Sequence, residues 1–188
     1  MSKWCGWRLI RYSLDYKVLL SGLDVMLVVR LAQKFKTFTQ QPPFILGWLL
    51  PCWFLLGLSR CLILTVSFKR LAPYLGIHDG LSPWIPLLDK PQEQKALLIG
   101  RTVRLAAQYT PWISNCFPQA ITARLLLGVY RIPYGLYFGL RRDRNTNELN
   151  AHAWIATGRV RVTGGTSFGQ FTVVGCFMSP LASDFTTS

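Results

Sequence analysis

Apolar residues in the first two thirds of the chain recur mainly at helical spacing. Residues 15–37 carry leucines and a methionine at a period close to 3.6, and residues 44–68 are almost continuously apolar. Residues 91–110 form an amphipathic stretch that follows Asp89, a residue type favoured at helix N-caps. Residues 116–128 leave little polar surface, which is typical of a central helix. These patterns predict four helices, with Ser114 and Asn115 available to cap the last one.

Beyond Pro133 the apolar pattern changes to that of strands, with turn residues between short runs. Thr157-Gly158 predicts a tight turn between two neighbouring strands. With these two residues in the turn, His152 on the first strand would lie opposite Thr163 on the second. Together the two patterns predict an α+β fold in which helices precede an antiparallel sheet. The strands are expected at residues 134–140, 150–156, 159–163 and 171–177.

The segment Leu71 to Pro91 separates two differently composed parts of the chain. It contains four prolines and two glycines, a density typical of a linker. We therefore expect three regions: an apolar helical N-terminal part over residues 1–80, a domain over residues 81–178 and a loose tail over residues 179–188.

Residues 44–68 have the length and composition of a membrane span. Arg60 argues against a simple span, because a charge within the bilayer is costly, and Pro51 would kink a lone helix. Two interpretations stay open: a helix that enters or lies on a membrane, and a helix buried against the domain or a partner protein. Either way, so large an apolar surface is expected to need lipid or a partner.

Charge and cysteine content narrow the functional classes. The 188 residues carry a formal net charge of +13, which fits a solvated surface, an anionic membrane or an acidic peptide. No stretch has the concentrated basic face or the motif of a nucleic-acid-binding protein. Five cysteines without a CxxC pair, and no recognisable cleavable signal peptide, predict reduced thiols in the cytoplasm. With two histidines and no Cys/His cluster, no metal site is expected.

Cys116 and His152 are the residues best placed for catalysis. Cys116 begins a predicted helix, where the positive end of the helix dipole favours a thiolate. His152 lies in a predicted strand, from which it would accept the thiol proton and return it to a leaving amine. The alternative is a buried cysteine and an ordinary strand histidine, and the two residues alone do not decide between these readings.

The order of these elements narrows the choice. A helix with Cys at its start, a strand, and a second strand with His resemble the transglutaminase-like core, a relative of the papain-like cysteine hydrolases. More closely, the chain resembles the lasso peptide biosynthesis B2 proteins over roughly residues 60–177. The motifs that carry this likeness are Cys116-Phe117-Pro118-Gln119-Ala120, Gly139-Leu140-Arg141 and Ala151-His152-Ala153-Trp154.

The resemblance implies an activity and partners. It implies a leader peptidase, which cleaves the leader from a lasso precursor peptide by a Cys-His mechanism before the macrolactam closes. A separate leader-recognition protein and an ATP-dependent macrolactam cyclase are the implied partners. No cofactor and no metal are implied for this chain. An acyl transferase of the same fold, or an inactive scaffold that docks precursor to cyclase, are the alternatives.

One position departs from the family pattern. The family often has an Asp about twelve residues after the His as third catalytic residue, and this chain has Gly164 there. Thr163 is our candidate for orienting the imidazole, with Glu148, Asp184, a water or a backbone carbonyl as alternatives. For the oxyanion we expect backbone amides at the helix start rather than the Gln119 side chain.

Overall fold

The fold is described by a computed structural model, in which residues 40–78, 80, 86–143, 147–165 and 167–180 are the described ones. The helix predicted over residues 15–37, residue Asp184 and most of the tail predicted over residues 179–188 lie outside these ranges. From Pro43 onward the chain forms one compact unit. Helices and one antiparallel sheet build this unit, so the α+β class is confirmed.

Four α-helices are present in the described residues, and a 3-10 turn at Ala72–Tyr74 follows the second. The longest begins one residue before the apolar stretch 44–68, continues through Pro51 and buries Ile45, Cys52 and Leu56. It packs against the third and fourth helices, which follow residue 80. The division into residues 1–80, 81–178 and 179–188 stays a prediction. Cys52 and Leu56 of this helix nevertheless belong to the same hydrophobic core as the helices that follow residue 80. The helices are α1 (Pro43–Thr65), α2 (Phe68–Leu71), α3 (Lys90–Ala107) and α4 (Cys116–Val129).

The starts of α3 and α4 differ in how they are capped. At α3 the Asp89 carboxylate accepts the Gln92 amide at 2.7 Å, and the Gln92 side chain accepts the Asp89 amide, which confirms the predicted cap. At α4 the N-cap residue Asn115 makes no side-chain capping bond, against expectation. The third residue of α4 is Pro118, which has no amide hydrogen for a cap to accept.

Over the described ranges the sheet has five antiparallel strands in the order β1-β5-β2-β3-β4. Side chains alternate between its faces. Leu136 and Ile155 belong to the main core with the helices, whereas Tyr137, Trp154 and Cys176 form a smaller buried cluster. The strands are β1 (Ile77–His78), β2 (Gly135–Arg142), β3 (Leu149–Thr157), β4 (Val160–Arg161) and β5 (Thr172–Met178).

The turn between β3 and β4 lies one residue later than predicted. Thr157 pairs with Val160, which leaves Gly158 and Arg159 in the turn. Gly158 adopts a φ of +52°, which a glycine tolerates and a tight hairpin turn requires. Thr157 is buried and donates its hydroxyl to the Pro133 carbonyl, so it belongs to the strand. The pairing register therefore differs from the one that placed His152 opposite Thr163.

Candidate active site

Cys116 is the first residue of α4 and holds a free, half-buried thiol. The loop before it is tied down by side chains. Thr110 Oγ1 lies 2.8 Å from Ser114 Oγ, and the Gln119 carboxamide donates to the Ser114 carbonyl at 2.7 Å. Gln119 therefore braces the loop before the thiol. The first-turn amides of Cys116 and Phe117 have no acceptor within the helix and no cap from the Asn115 side chain. They can therefore donate hydrogen bonds to an anion.

His152 lies in β3 opposite Gly139 of β2 and is half-buried. Cys116 and His152 each line the same two cavities, so the structure brings the two sequence candidates to one place. The His152 ring stacks on Phe171, with centroids 4.9 Å apart, and on Trp154 at 5.8 Å. These flat contacts on the ring restrict its rotation.

The partner of the imidazole is a backbone carbonyl. Nε2 of His152 lies 2.9 Å from the oxygen of Gly164, the residue at the family's Asp position. A carbonyl oxygen only accepts, so Nε2 must carry the hydrogen. In the neutral ring this leaves the lone pair on Nδ1, which makes Nδ1 the nitrogen able to take a proton. The backbone alternative named from the sequence is the arrangement that the structure shows.

Thr163 is engaged elsewhere. It is 1% exposed, and its hydroxyl oxygen accepts the Ile155 amide at 3.2 Å. The amides of Val162 and Thr163 both donate to the Ile155 carbonyl, a local irregularity that follows the shifted turn. The structure thus places the Gly164 carbonyl, and not the Thr163 hydroxyl, against His152. This corrects the orienting contact expected from the sequence.

Glycine is required at residue 164 by both conformation and space. Its φ is +92°, and a Cβ there would come within 2.3 Å of the Trp154 Cβ. No side chain, an Asp included, fits this site without moving Trp154. Gly139 serves the same arrangement from the neighbouring strand, because a Cβ there would lie 2.8 Å from both Trp154 and Phe171. Both rings that stack on His152 therefore depend on a glycine beside them.

Helix α3 supports the segment that presents the Gly164 carbonyl. Arg104 donates from Nη1 to the Val162 carbonyl at 2.8 Å. Gly100 of the same helix lies so close that a Cβ would meet this oxygen at 2.5 Å. Burial, and then the charge of Arg101, lower the pKa of the Arg104 guanidinium from its ordinary value. The sequence did not single out Arg104 within the amphipathic stretch 91–110, since nothing local signals a partner 58 residues away.

The two cavities that meet at Cys116 and His152 differ in character. The larger, of about 890 Å³, is lined by four phenylalanine rings, one each from α2, α4, β2 and β5. The smaller, of about 430 Å³, has a more polar lining than the larger, with the side chains of Arg104, Gln108 and Gln119 in its walls. Among the described residues, neither lining contains an acidic side chain. Glu148 is exposed at the start of β3 and lines neither cavity.

Within the described ranges, the other residue types that could carry chemistry give no second site. Cys176 is fully buried beside Tyr137 and Trp154, which makes it a packing residue. Among the residues that the structure describes, no group of three His, Cys, Asp or Glu side chains is close enough to hold a metal ion.

Comparison with known proteins identifies the fold family. The family described as the transglutaminase-like superfamily matches residues 62–176, which is more than half of the chain and includes both Cys116 and His152. Neither the curated proteins nor the solved structures give a match. Domains of this superfamily are typically cysteine hydrolases or transferases. On this match, supported by the helix-then-sheet order and by a cysteine at the start of its helix, the chain belongs to the transglutaminase-like superfamily.

Proposed function

We propose that this protein is a cysteine endopeptidase that removes the leader from a lasso precursor peptide. The observation that carries the peptidase part is the shared location of Cys116 and His152, with Nε2 of His152 on the Gly164 carbonyl. The lasso assignment rests on the likeness of Ala151-His152-Ala153-Trp154 and the other motifs to the B2 proteins. A separate leader-recognition protein and an ATP-dependent cyclase are the partners that go with this proposal.

The proposed mechanism uses residues of this chain alone. Nδ1 of His152 takes the thiol proton, and the Cys116 thiolate attacks the carbonyl carbon of the scissile bond. The oxyanion that forms is stabilised by amides at the start of α4, aided by the helix dipole. The imidazolium then gives its proton to the leaving amine, and water hydrolyses the thioester with His152 again as base. Because a carbonyl stabilises the imidazolium less than a carboxylate would, we expect modest turnover.

The test is incubation of the purified full chain, the recognition protein and a synthetic precursor, followed by mass analysis. The proposal expects free leader acid and a core peptide with a new amino terminus. Cys116→Ala should abolish both products with the unfolding free energy nearly unchanged. Cys61→Ala is the matched control, since that thiol is exposed on α1 and lines neither cavity.

Other outcomes select the alternatives. A leader coupled to an added amine in place of water would favour the acyl transferase. Wild-type turnover in Cys116→Ala would eliminate the cysteine mechanism. An intact precursor, together with no selective alkylation of Cys116, would leave the docking scaffold as the better reading.

We also propose that the protein is cytoplasmic and contacts the membrane through α1. Among the described residues, α1 is the one helix long and apolar enough to cross a membrane by length and composition. Leu50, Leu58 and Leu64 are each more than half exposed on it. Lys69 and Arg70 lie in α2, a few residues after α1 ends, and such charges favour an anionic surface. Flotation with anionic vesicles should carry the protein upward, and a monomer that stays soluble without detergent or partner would contradict this.

A further inference from the structure

The larger of the two cavities is walled by aromatic rings that contact one another. Phe138 lies between the rings of Phe68, Phe117 and Phe177, with centroid separations of 5.4, 5.3 and 5.8 Å. These rings come from four separate elements, so the fold assembles the wall rather than any local motif. Cys116 and His152 also line this cavity.

The lining offers almost nothing to a polar group. In the described part of the chain, the polar side chains that line it besides Cys116 and His152 are Lys69 and His78, and both are exposed. A charged or amide side chain that entered between the phenylalanine rings would lose hydration with only the exposed Lys69 and His78 available as new partners, which is costly. A volume of about 890 Å³ lies in the upper part of the range for ligand pockets and exceeds what a small side chain would fill.

The second cavity is the more polar of the two, and it meets the first at the same two residues. Ser114, Gln119 and Arg104 place polar side chains in its wall beside Cys116 and His152. A peptide whose cleaved bond lies at Cys116 therefore has a strongly apolar pocket on one side and a more polar pocket on the other. This contrast favours one direction for an asymmetric peptide.

We infer that the phenylalanine-walled cavity binds a bulky apolar side chain of the substrate, an aromatic residue or leucine, within two residues of the cleaved bond. This inference rests on the proposed peptidase function and assigns Phe68, Phe138 and Gly175 as specificity-determining residues. Phe68 is half exposed at the mouth. Gly175 is buried in the lining, yet a Cβ there would meet no atom within 4 Å. A side chain at Gly175 would therefore fill pocket space without displacing the protein.

The experiment separates binding from cleavage. Full-length Cys116→Ala protein is titrated with alanine-rich pentapeptides that carry a single Phe, Leu or Asp, followed by ligand-observed NMR. The Phe and Leu peptides should bind about tenfold more tightly than the Asp peptide, since a matched apolar pocket discriminates at this level. Gly175→Val should reduce the preference for Phe while leaving an all-alanine peptide unchanged. Phe68→Ala should weaken the Phe peptide about fivefold or more.

Phe54→Ala is the matched control, because that ring is also more than half exposed but lies outside the cavity. Equal affinities for the Phe and Asp peptides, or no effect of Gly175→Val in a variant with parental unfolding, would overturn the inference. Binding of an octanoyl amide with no binding of the Phe peptide would also overturn it and assign the pocket to acyl chains. Failure of the peptidase proposal appears separately, as absence of Cys116-dependent cleavage.

Discussion

Nε2 of His152 lies 2.9 Å from the carbonyl oxygen of Gly164, twelve residues further along the chain. A backbone carbonyl therefore occupies the position at which the B2 proteins, which this chain resembles, often have an Asp carboxylate. A carbonyl can hold the ring and its tautomer, but it adds no negative charge to stabilise the imidazolium. Mutation of a side chain cannot remove this partner, so its role has to be tested through the conformation of residue 164.

Two adjacent glycines allow that test. Both have a positive φ, +92° at Gly164 and +65° at Gly165, but only the Cβ at Gly164 would meet Trp154. Gly165→Ala should cost about 1–2 kcal/mol of unfolding free energy from backbone strain alone. Gly164→Ala adds a steric clash beside the active site, so we expect at least about 3 kcal/mol and loss of cleavage. Denaturant unfolding of both variants measures the difference, and equal losses would contradict the described packing.

Thr163→Val distinguishes a structural threonine from an orienting one. The valine keeps the shape but leaves the buried Ile155 amide without its acceptor, so unfolding free energy should fall by about 1–3 kcal/mol. The pH profile of Cys116 alkylation should not move, because His152 keeps its Gly164 partner. Thr102→Val is the control: its hydroxyl donates to the Leu98 carbonyl within α3, and its loss orphans no amide. A shifted alkylation profile in Thr163→Val would restore Thr163 as the orienting residue.

Sequence patterns were sufficient where structure is decided locally. Helix α4 begins at Cys116 and β3 contains His152, as predicted, because apolar periodicity and helix-start chemistry act over a few residues. The shift of the β3–β4 turn was missed, since Thr157-Gly158 and Gly158-Arg159 both suit a turn and burial of Thr157 decides between them. The contact of His152 with Gly164 depends on that shift.

Local sequence patterns could not predict which residues wall the larger cavity, for a different reason. Phe68 and Phe177 lie 109 positions apart in the sequence: Phe68 ends the apolar stretch 44–68, Phe177 ends a predicted strand, and neither pattern indicates a cavity wall. Only the strand order β1-β5-β2-β3-β4 brings β5 beside β2 and so places Phe177 next to Phe138. The family resemblance pointed to Cys116 and His152, but it carried no information about these walls.

Because of Tyr137, we expect the free energy of unfolding to depend on pH in the alkaline range. Burial raises the pKa of its hydroxyl from 10.0 to about 12, with the hydrogen-bonded Cys176 as a second cause. A group with a raised pKa in the folded protein stabilises it fully below its unfolded pKa and less as pH rises. Unfolding free energy should therefore decline between about pH 10 and 12 by up to about 2 kcal/mol from this group. Tyr137→Phe should flatten that decline, and parallel curves for both proteins up to pH 12 would contradict it.

Arg104 should act on catalysis through the backbone that it holds. Its Nη1 donates to the Val162 carbonyl at 2.8 Å, two residues before the Gly164 carbonyl that contacts His152. Arg104→Met keeps an apolar stem of similar length but removes this bond, so the 162–165 segment gains freedom. We expect about tenfold lower kcat from the lost positioning; because Arg104 also lines the smaller cavity, a rise in KM alone would instead indicate a lost contact with substrate.

A positioning role predicts more than lost stability. Unfolding free energy should fall by about 1–3 kcal/mol in Arg104→Met, and the pH profile of Cys116 alkylation should shift as the contact between His152 and Gly164 loosens. Arg101→Met provides the control, because Arg101 is exposed on the same helix and lines neither cavity. It removes the same charge without touching the segment. If both variants lower kcat equally, the effect comes from net charge and Arg104 does not position the imidazole's partner.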